Sequence, residues 1–85
     1  MPIFLKLVDQ NKEIFSDYVD KLNVVTVGGE LTILPHHTPL LSIVKEHGEV
    51  RVHKDKTILK YEIIGGVLVV KKNETSILAK EIKEK

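Results

Sequence analysis

The stretch "GGELTILPHHTPLLSIV", residues 28–44, gathers an acid, Glu30, two adjacent imidazoles, His36 and His37, and two of the chain's three prolines. Imidazoles beside a carboxylate can hold a metal, relay a proton or face a partner. Metal binding is the weakest of these here, because side chains adjacent on an extended backbone point to opposite faces and do not chelate one ion together. His47 and His53 stand at no zinc-like spacing from that pair. Nucleophilic catalysis has no better footing. Ser16, Ser42 and Ser76 lie in strand-like runs without the glycines of a nucleophile elbow. "VGGELT" lacks the lysine and the following helix of a phosphate loop. The carboxylates are spread among lysines, as on a solvated surface. No catalytic residue, cofactor or metal site is therefore expected, and the histidines read as solvent-facing or interface groups.

Composition excludes further classes. Lys and Arg number 13 against 12 Asp and Glu, and Arg51 is the only arginine. Nucleic-acid binding wants a basic stripe interleaved with aromatic platforms, whereas Phe4, Phe15, Tyr18 and Tyr61 lie in no basic cluster. Without cysteine, neither disulfides nor thiolate metal sites can form, which fits a reducing compartment. The start "MPIFLKLVDQ" lacks the basic flank and long apolar run of a secretory signal. No apolar stretch approaches the ~18–20 residues that span a bilayer. An intracellular chain of one domain, 1–85, is expected.

Strands must position these residues, since the dominant period is two. Ile3, Leu5 and Leu7 alternate with Phe4, Lys6 and Val8, and Val50 and Val52 with Arg51 and His53. Turn signals at "DQNK", "KDK", "GG" (65–66) and "KKNE" divide the chain. Strands are expected near 3–9, 13–19, 21–27, 30–34, 39–45, 49–54, 57–64, 67–71 and 75–80, with helical character only in the tail "AKEIKEK". The expected core is Leu5, Leu7, Phe15, Val25, Val27, Leu31, Ile33, Val50, Val52, Leu68, Val70 and Ile77. A sheet with one wet face alternates apolar and polar residues. Yet "IFL", "PLLSIV", "IIGGVLVV" and "SILA" carry apolar side chains at both parities. Either strand ends and corners bury both faces, or one outer face docks on a partner.

Five motifs in register resemble one family. "GGELTILPHHTPLLSIV" is similar to the "GEL-G-I-P-G-H-x-PLL" signature of the epsilon subunit of F-type ATP synthases, whose mitochondrial counterpart is called delta. "IFSDYV", "GEVRV", "IIGGVLVVKKN" and "ETSILAKE" look like the family's second strand, its "G-x-V-x-V" strand, its "SGG-x-L-x-V-x-x-N" hairpin and its last strand. The resemblance implies an all-β fold, a two-sheet antiparallel β-sandwich of about ten short strands. It also implies a non-catalytic rotor subunit in the central stalk. One sandwich face would pack on the gamma subunit, and the signature loop would rest on the polar loops of the membrane c-ring. The matching contact residues are Glu30, Leu34, Pro35, His36, His37, Thr38 and Pro39. The implied place is peripheral, at the cytoplasmic face of the bacterial inner membrane, with no nucleic acid as partner.

Asp17, Thr32 and His36 stand where the family commonly has glycine. Asp and His tolerate positive φ, and Thr32 fits an extended position. The family usually continues into a C-terminal helical hairpin after the last strand, whereas this sequence ends at Lys85; coupling without a helical brake is the expectation. The alternatives are a small β-barrel that binds a ligand or oligonucleotide at its rim, and a tiny cupin-like metalloenzyme.

Overall fold

The computed structural model describes residues 2–10 and 12–85, so Asn11 of the "DQNK" turn lies outside the described residues. Eight strands follow one another: β1 (Ile3–Asp9), β2 (Lys12–Val19), β3 (Lys21–Thr26), β4 (Gly29–Ile33), β5 (Leu40–Ile43), β6 (Gly48–Lys54), β7 (Thr57–Val70) and β8 (Thr75–Glu84). Hydrogen bonding runs in the order β2-β1-β8-β7-β6-β3-β4, with β5 also paired to β7. All pairings are antiparallel except that of β1 with β8, which is parallel. Among the described residues no helix is long and apolar enough to cross a membrane.

Two layers arise because β7 and β8 are each shared. The first half of β7, Thr57–Ile63, pairs with β6, whereas Val67–Val70 pairs with β5. Between these halves Gly65 adopts φ 63°, a left-handed conformation that costs glycine little. Gly66 follows, where a Cβ would meet Ile63 Cγ2 at 2.5 Å and the Ala79 methyl at 3.2 Å. Beside them β8 holds one register throughout, from Tyr61↔Glu84 to Val70↔Thr75. The bent β7–β8 hairpin thus gives one layer of β2, β1, β5 and the hairpin's turn-proximal half, and a second of β4, β3, β6 and its distal half.

The layers close on Leu5, Leu7, Leu22, Val24, Ile33, Val50, Val52, Ile63, Leu68 and Ile77, all fully buried. Phe15 of β2 meets Tyr61 of β7 across the layers, edge to face at 6.5 Å. The β1–β2 register slips between Leu7, opposite Phe15, and Val8, opposite Glu13. This bulge makes Ile14 the extra residue and lets two consecutive apolar side chains, Ile14 and Phe15, pack on the core.

Four expectations are corrected. Eight strands replace nine or ten, because local signals read Gly65–Gly66 as a strand break where the chain only bends. The tail is strand to Glu84, since Ile82 pairs with Ile63 and is buried, so tertiary pairing overrides its helical composition. In β3 the inward parity is Leu22, Val24 and Thr26; Val25 is half-buried and Val27 is 67 % exposed, in the turn. Thr26 can face inward because its hydroxyl donates to the Gly29 carbonyl at 2.7 Å and accepts from the Gly28 amide at 3.2 Å. Finally, the sandwich is not wholly antiparallel.

Candidate functional site

The signature loop is ordered by a turn. Leu34–His37 is closed by the His37 amide donating to the Leu34 carbonyl at 3.2 Å, with Pro35 second and His36 third at φ 66°. Positive φ at the third position, usually met by glycine, is what a type II turn requires, and proline is common at its second. His36 therefore fills the glycine position in glycine's own conformation. Asp17 does not adopt positive φ; it lies extended in β2 opposite Leu5. Thr32 is extended in β4, and its Oγ1 accepts from Asn23 Nδ2 at 2.9 Å.

His37 Nδ1 donates to the Thr38 carbonyl at 2.7 Å. Leu34 is 52 % exposed, His36, Thr38 and Pro39 are exposed, and Pro35 and His37 are half-buried. Leu34–His37 forms one wall of a depression of about 430 Å³, facing Phe4, Tyr18 and the β7–β8 turn with Lys71 and Lys72. Phe4 and Tyr18 meet there edge to face at 5.0 Å. Glu30 is not part of this cluster. It lies at the opposite end of β4, about 13 Å of extended backbone before Leu34, where its Oε2 accepts from Arg51 Nη2 at 2.7 Å.

The remaining histidines are committed elsewhere. His53 Nε2 donates to Asn23 Oδ1 at 2.6 Å, and partial burial, with Lys21 and Arg51 nearby, holds its pKa below the ordinary value. His47, at φ 59° in the Lys45–Gly48 turn, donates through Nδ1 to Glu62 Oε2 and so lowers the Glu62 pKa. Among the described residues no group of three or more His, Asp or Glu side chains could hold a metal.

The surface that strand-by-strand reading leaves out emerges from register. Val8 pairs with Leu78, Leu78 with Val67, and Val67 with Ile43, so four apolar side chains from β1, β8, β7 and β5 form one row on the outer face of the first layer. Val69 beside Leu41 continues it in the adjacent row. Leu41, Ile43 and Leu78 are 71 %, 59 % and 46 % exposed. The only hint in the sequence is the runs that are apolar at both parities. The outer face of the second layer is the reverse: Arg51 sits opposite Lys60, and Glu49 opposite Glu62. Arg51 bridges Glu30 and Glu49, and Lys85 approaches Glu49 at 3.7 Å.

Comparison with known proteins agrees with this architecture. A family model described as "ATP synthase, Delta/Epsilon chain, beta-sandwich domain" matches residues 2–85. An "ATP synthase epsilon chain" of Roseiflexus sp. is 42 % identical over 79 residues, covering 93 % of this chain and 56 % of its own length. The epsilon chain of Gloeobacter violaceus is 37 % identical over 79 residues, 93 % of this chain and 59 % of the relative. The chain thus spans little more than half the length of these relatives. A further epsilon chain, from Frankia casuarinae, is 34 % identical over 83 residues and is matched over 98 % of both chains. A chain in the cryo-EM structure of the Euglena gracilis mitochondrial ATP synthase (OSCP/F1/c-ring) superposes with a TM-score of 0.88 at 22 % identity, covering 98 % of this chain and 53 % of that one. This last likeness is one of fold.

Proposed function

The chain belongs to the delta/epsilon-chain β-sandwich family of ATP synthase, and from that premise we propose that it is a non-catalytic rotor component joining the gamma subunit to the c-ring, so that proton or sodium-ion flow stays coupled to stalk rotation. One observation carries the reading: the in-register apolar row Val8–Leu78–Val67–Ile43, extended by Leu41 and Val69. Burying such side chains is favourable by about 1.5–3 kcal/mol each when burial is complete. A contiguous apolar patch on a small domain marks a contact surface. Gamma is assigned to this face.

The β4 edge and the loop after it are assigned to the polar loops of the c-ring. Their surface is polar and turn-rich: Glu30 at one end, His36, His37, Thr38 and Pro39 at the other. Such a contact depends on hydrogen bonds and weak charge pairs, each worth roughly 0.2–1 kcal/mol when exposed. The subunit would then lie peripherally at the cytoplasmic face of the membrane, held through the complex.

The test is capture of purified gamma subunit by the chain, followed by reconstitution into the complex. The expected result is micromolar or tighter binding to gamma. In the complex, charge reversal at Glu30 or a bulky change at His37 should impair ion pumping more than hydrolysis. Absence of gamma binding, with tight binding of single-stranded DNA instead, would replace this reading by a rim-binding barrel.

A further inference from the structure

We infer that Arg51, the chain's single arginine, is a positioning residue for Glu30: it holds the Glu30 carboxylate oriented for an incoming hydrogen-bond donor on the c-ring's polar loops. This rests on the assignment of the β4 edge to that ring. Glu30 pairs with Val25 on β3, and Arg51 pairs with Asn23 on β3, so the guanidinium reaches diagonally across β3 to the edge strand. Its Nη2 donates to Glu30 Oε2 at 2.7 Å, while Nη1 lies 3.8 Å from Glu49 Oε1. The fork is thus anchored between two acids rather than on Glu30 alone.

Glu30 Oε1 accepts no hydrogen bond from the described residues, and the side chain remains about half exposed, 49 %. A carboxylate can accept several hydrogen bonds. Arg51 therefore engages one oxygen and leaves the other open, which is the arrangement of a support and not of a block. A glutamate on an edge strand otherwise loses rotamer freedom on docking, a cost that prior immobilisation removes. Lysine cannot substitute fully, since it offers a point charge in place of a planar fork.

The experiment titrates the labelled chain onto purified c-ring carrying gamma, read by fluorescence anisotropy, with thermal unfolding measured in parallel. Glu30→Gln should weaken binding. Arg51→Gln should weaken it about two- to fivefold, the range of an exposed charged pair, with little change in melting temperature. Arg51→Lys should recover part of the loss, and Arg51→Gln should add nothing in a Glu30→Gln background. Lys60→Gln removes one positive charge from the residue paired with Arg51 on the next strand, and should leave binding unchanged. If Glu30→Gln weakens binding and Arg51→Gln leaves it unchanged or tightens it, Arg51 is a bystander or a competitor and the inference is overturned. If Glu30→Gln itself has no effect, the assignment of the β4 edge to the ring fails, and the inference falls with it.

Discussion

The two outer faces of this sandwich are built from the same alternating strands and present opposite chemistries. Across β1, β8, β7 and β5 the outward parity is Val8, Leu78, Val67 and Ile43, of which Leu78 and Ile43 are exposed and Val8 and Val67 half-buried. Across β4, β3, β6 and β7 it is Thr32, Asn23, Arg51 and Lys60 in one row and Glu30, Val25, Glu49 and Glu62 in the next. The charged face neutralises itself through Glu30–Arg51–Glu49–Lys85 and His47–Glu62, so it is stable in water and open to a weak polar contact at its β4 edge. The apolar face has no such internal solution, which is the ground for the contact with gamma proposed there. Such a difference, imposed on one bent hairpin that serves both layers, teaches that the apolar outer face of the first layer is not explained by the stability of the isolated domain.

Putting a charge on the apolar face should have the largest effect. Leu41→Glu, at a 71 % exposed position, should cost about 2 kcal/mol or more in gamma affinity, as a hot-spot substitution does, while the unfolding midpoint stays within the range of surface changes, about 0.5 kcal/mol. Calorimetric titration with gamma checks this, and equal affinities for Leu41→Glu and Lys60→Glu would erase the distinction between the faces. Next in size is the bend that joins them. Gly66→Ala drives a methyl against Ile63 and Ala79 and should destabilise by about 1–3 kcal/mol in denaturant unfolding. At the loop, His36→Val should cost about 1–2 kcal/mol because a β-branched residue resists positive φ, whereas His36→Gly should be neutral or stabilising.

The smallest effect belongs to the charged groups. Lys54 donates to Asp17 across the layers, and with the Tyr18 amide it holds the Asp17 pKa below the ordinary 3.8. His47 holds Glu62 below 4.5, and burial holds His53 below 6.5. Each lowered value means stability that is present above the ordinary pKa and lost as pH falls through the folded one. The Lys54 pKa is raised above 10.5, so its share is present below that value and lost only as pH rises through the folded one. Melting temperature should therefore be flat between pH 7 and 8, slip below about 6.5 through His53 and fall further below about 4.5; a melting temperature that rises with acidification would contradict these assignments.

Part of the first-layer core was legible: Leu5 and Leu7 flank the outward Lys6 and are buried as expected, while Ile3, buried as well, is not in the expected core because Phe4 beside it is apolar too. In "LNVVTV" both parities are apolar, and Thr26 wins the inward place over Val25 and Val27 through hydrogen bonds that no periodicity reveals. The tail was misread because its single large apolar residue, Ile82, acquires meaning only opposite Ile63. The positive φ of His36 was legible through the family's glycine at that position, and the same reasoning fails at Asp17, which is extended. The apolar row was not legible, since its members come from four strands and only register aligns them. Nor was the separation of Glu30 from the loop it shares a signature with, because proximity in sequence along an extended strand is distance in space.

The parallel pairing of β1 with β8 also orders events in time. Hairpins such as β3–β4 and β6–β7 close short loops and can form early, whereas Leu5 meets Thr75 only after nearly the whole chain has been enclosed. Loop-closure entropy grows with the enclosed length, so non-local pairings of this kind are slow to form. Val8 stands beside Leu78 through that same pairing. Leu78, Val67 and Ile43 are aligned without β1, so a partly folded chain would present the surface assigned to gamma without its Val8 end, and assembly would favour finished subunits without any separate step of inspection.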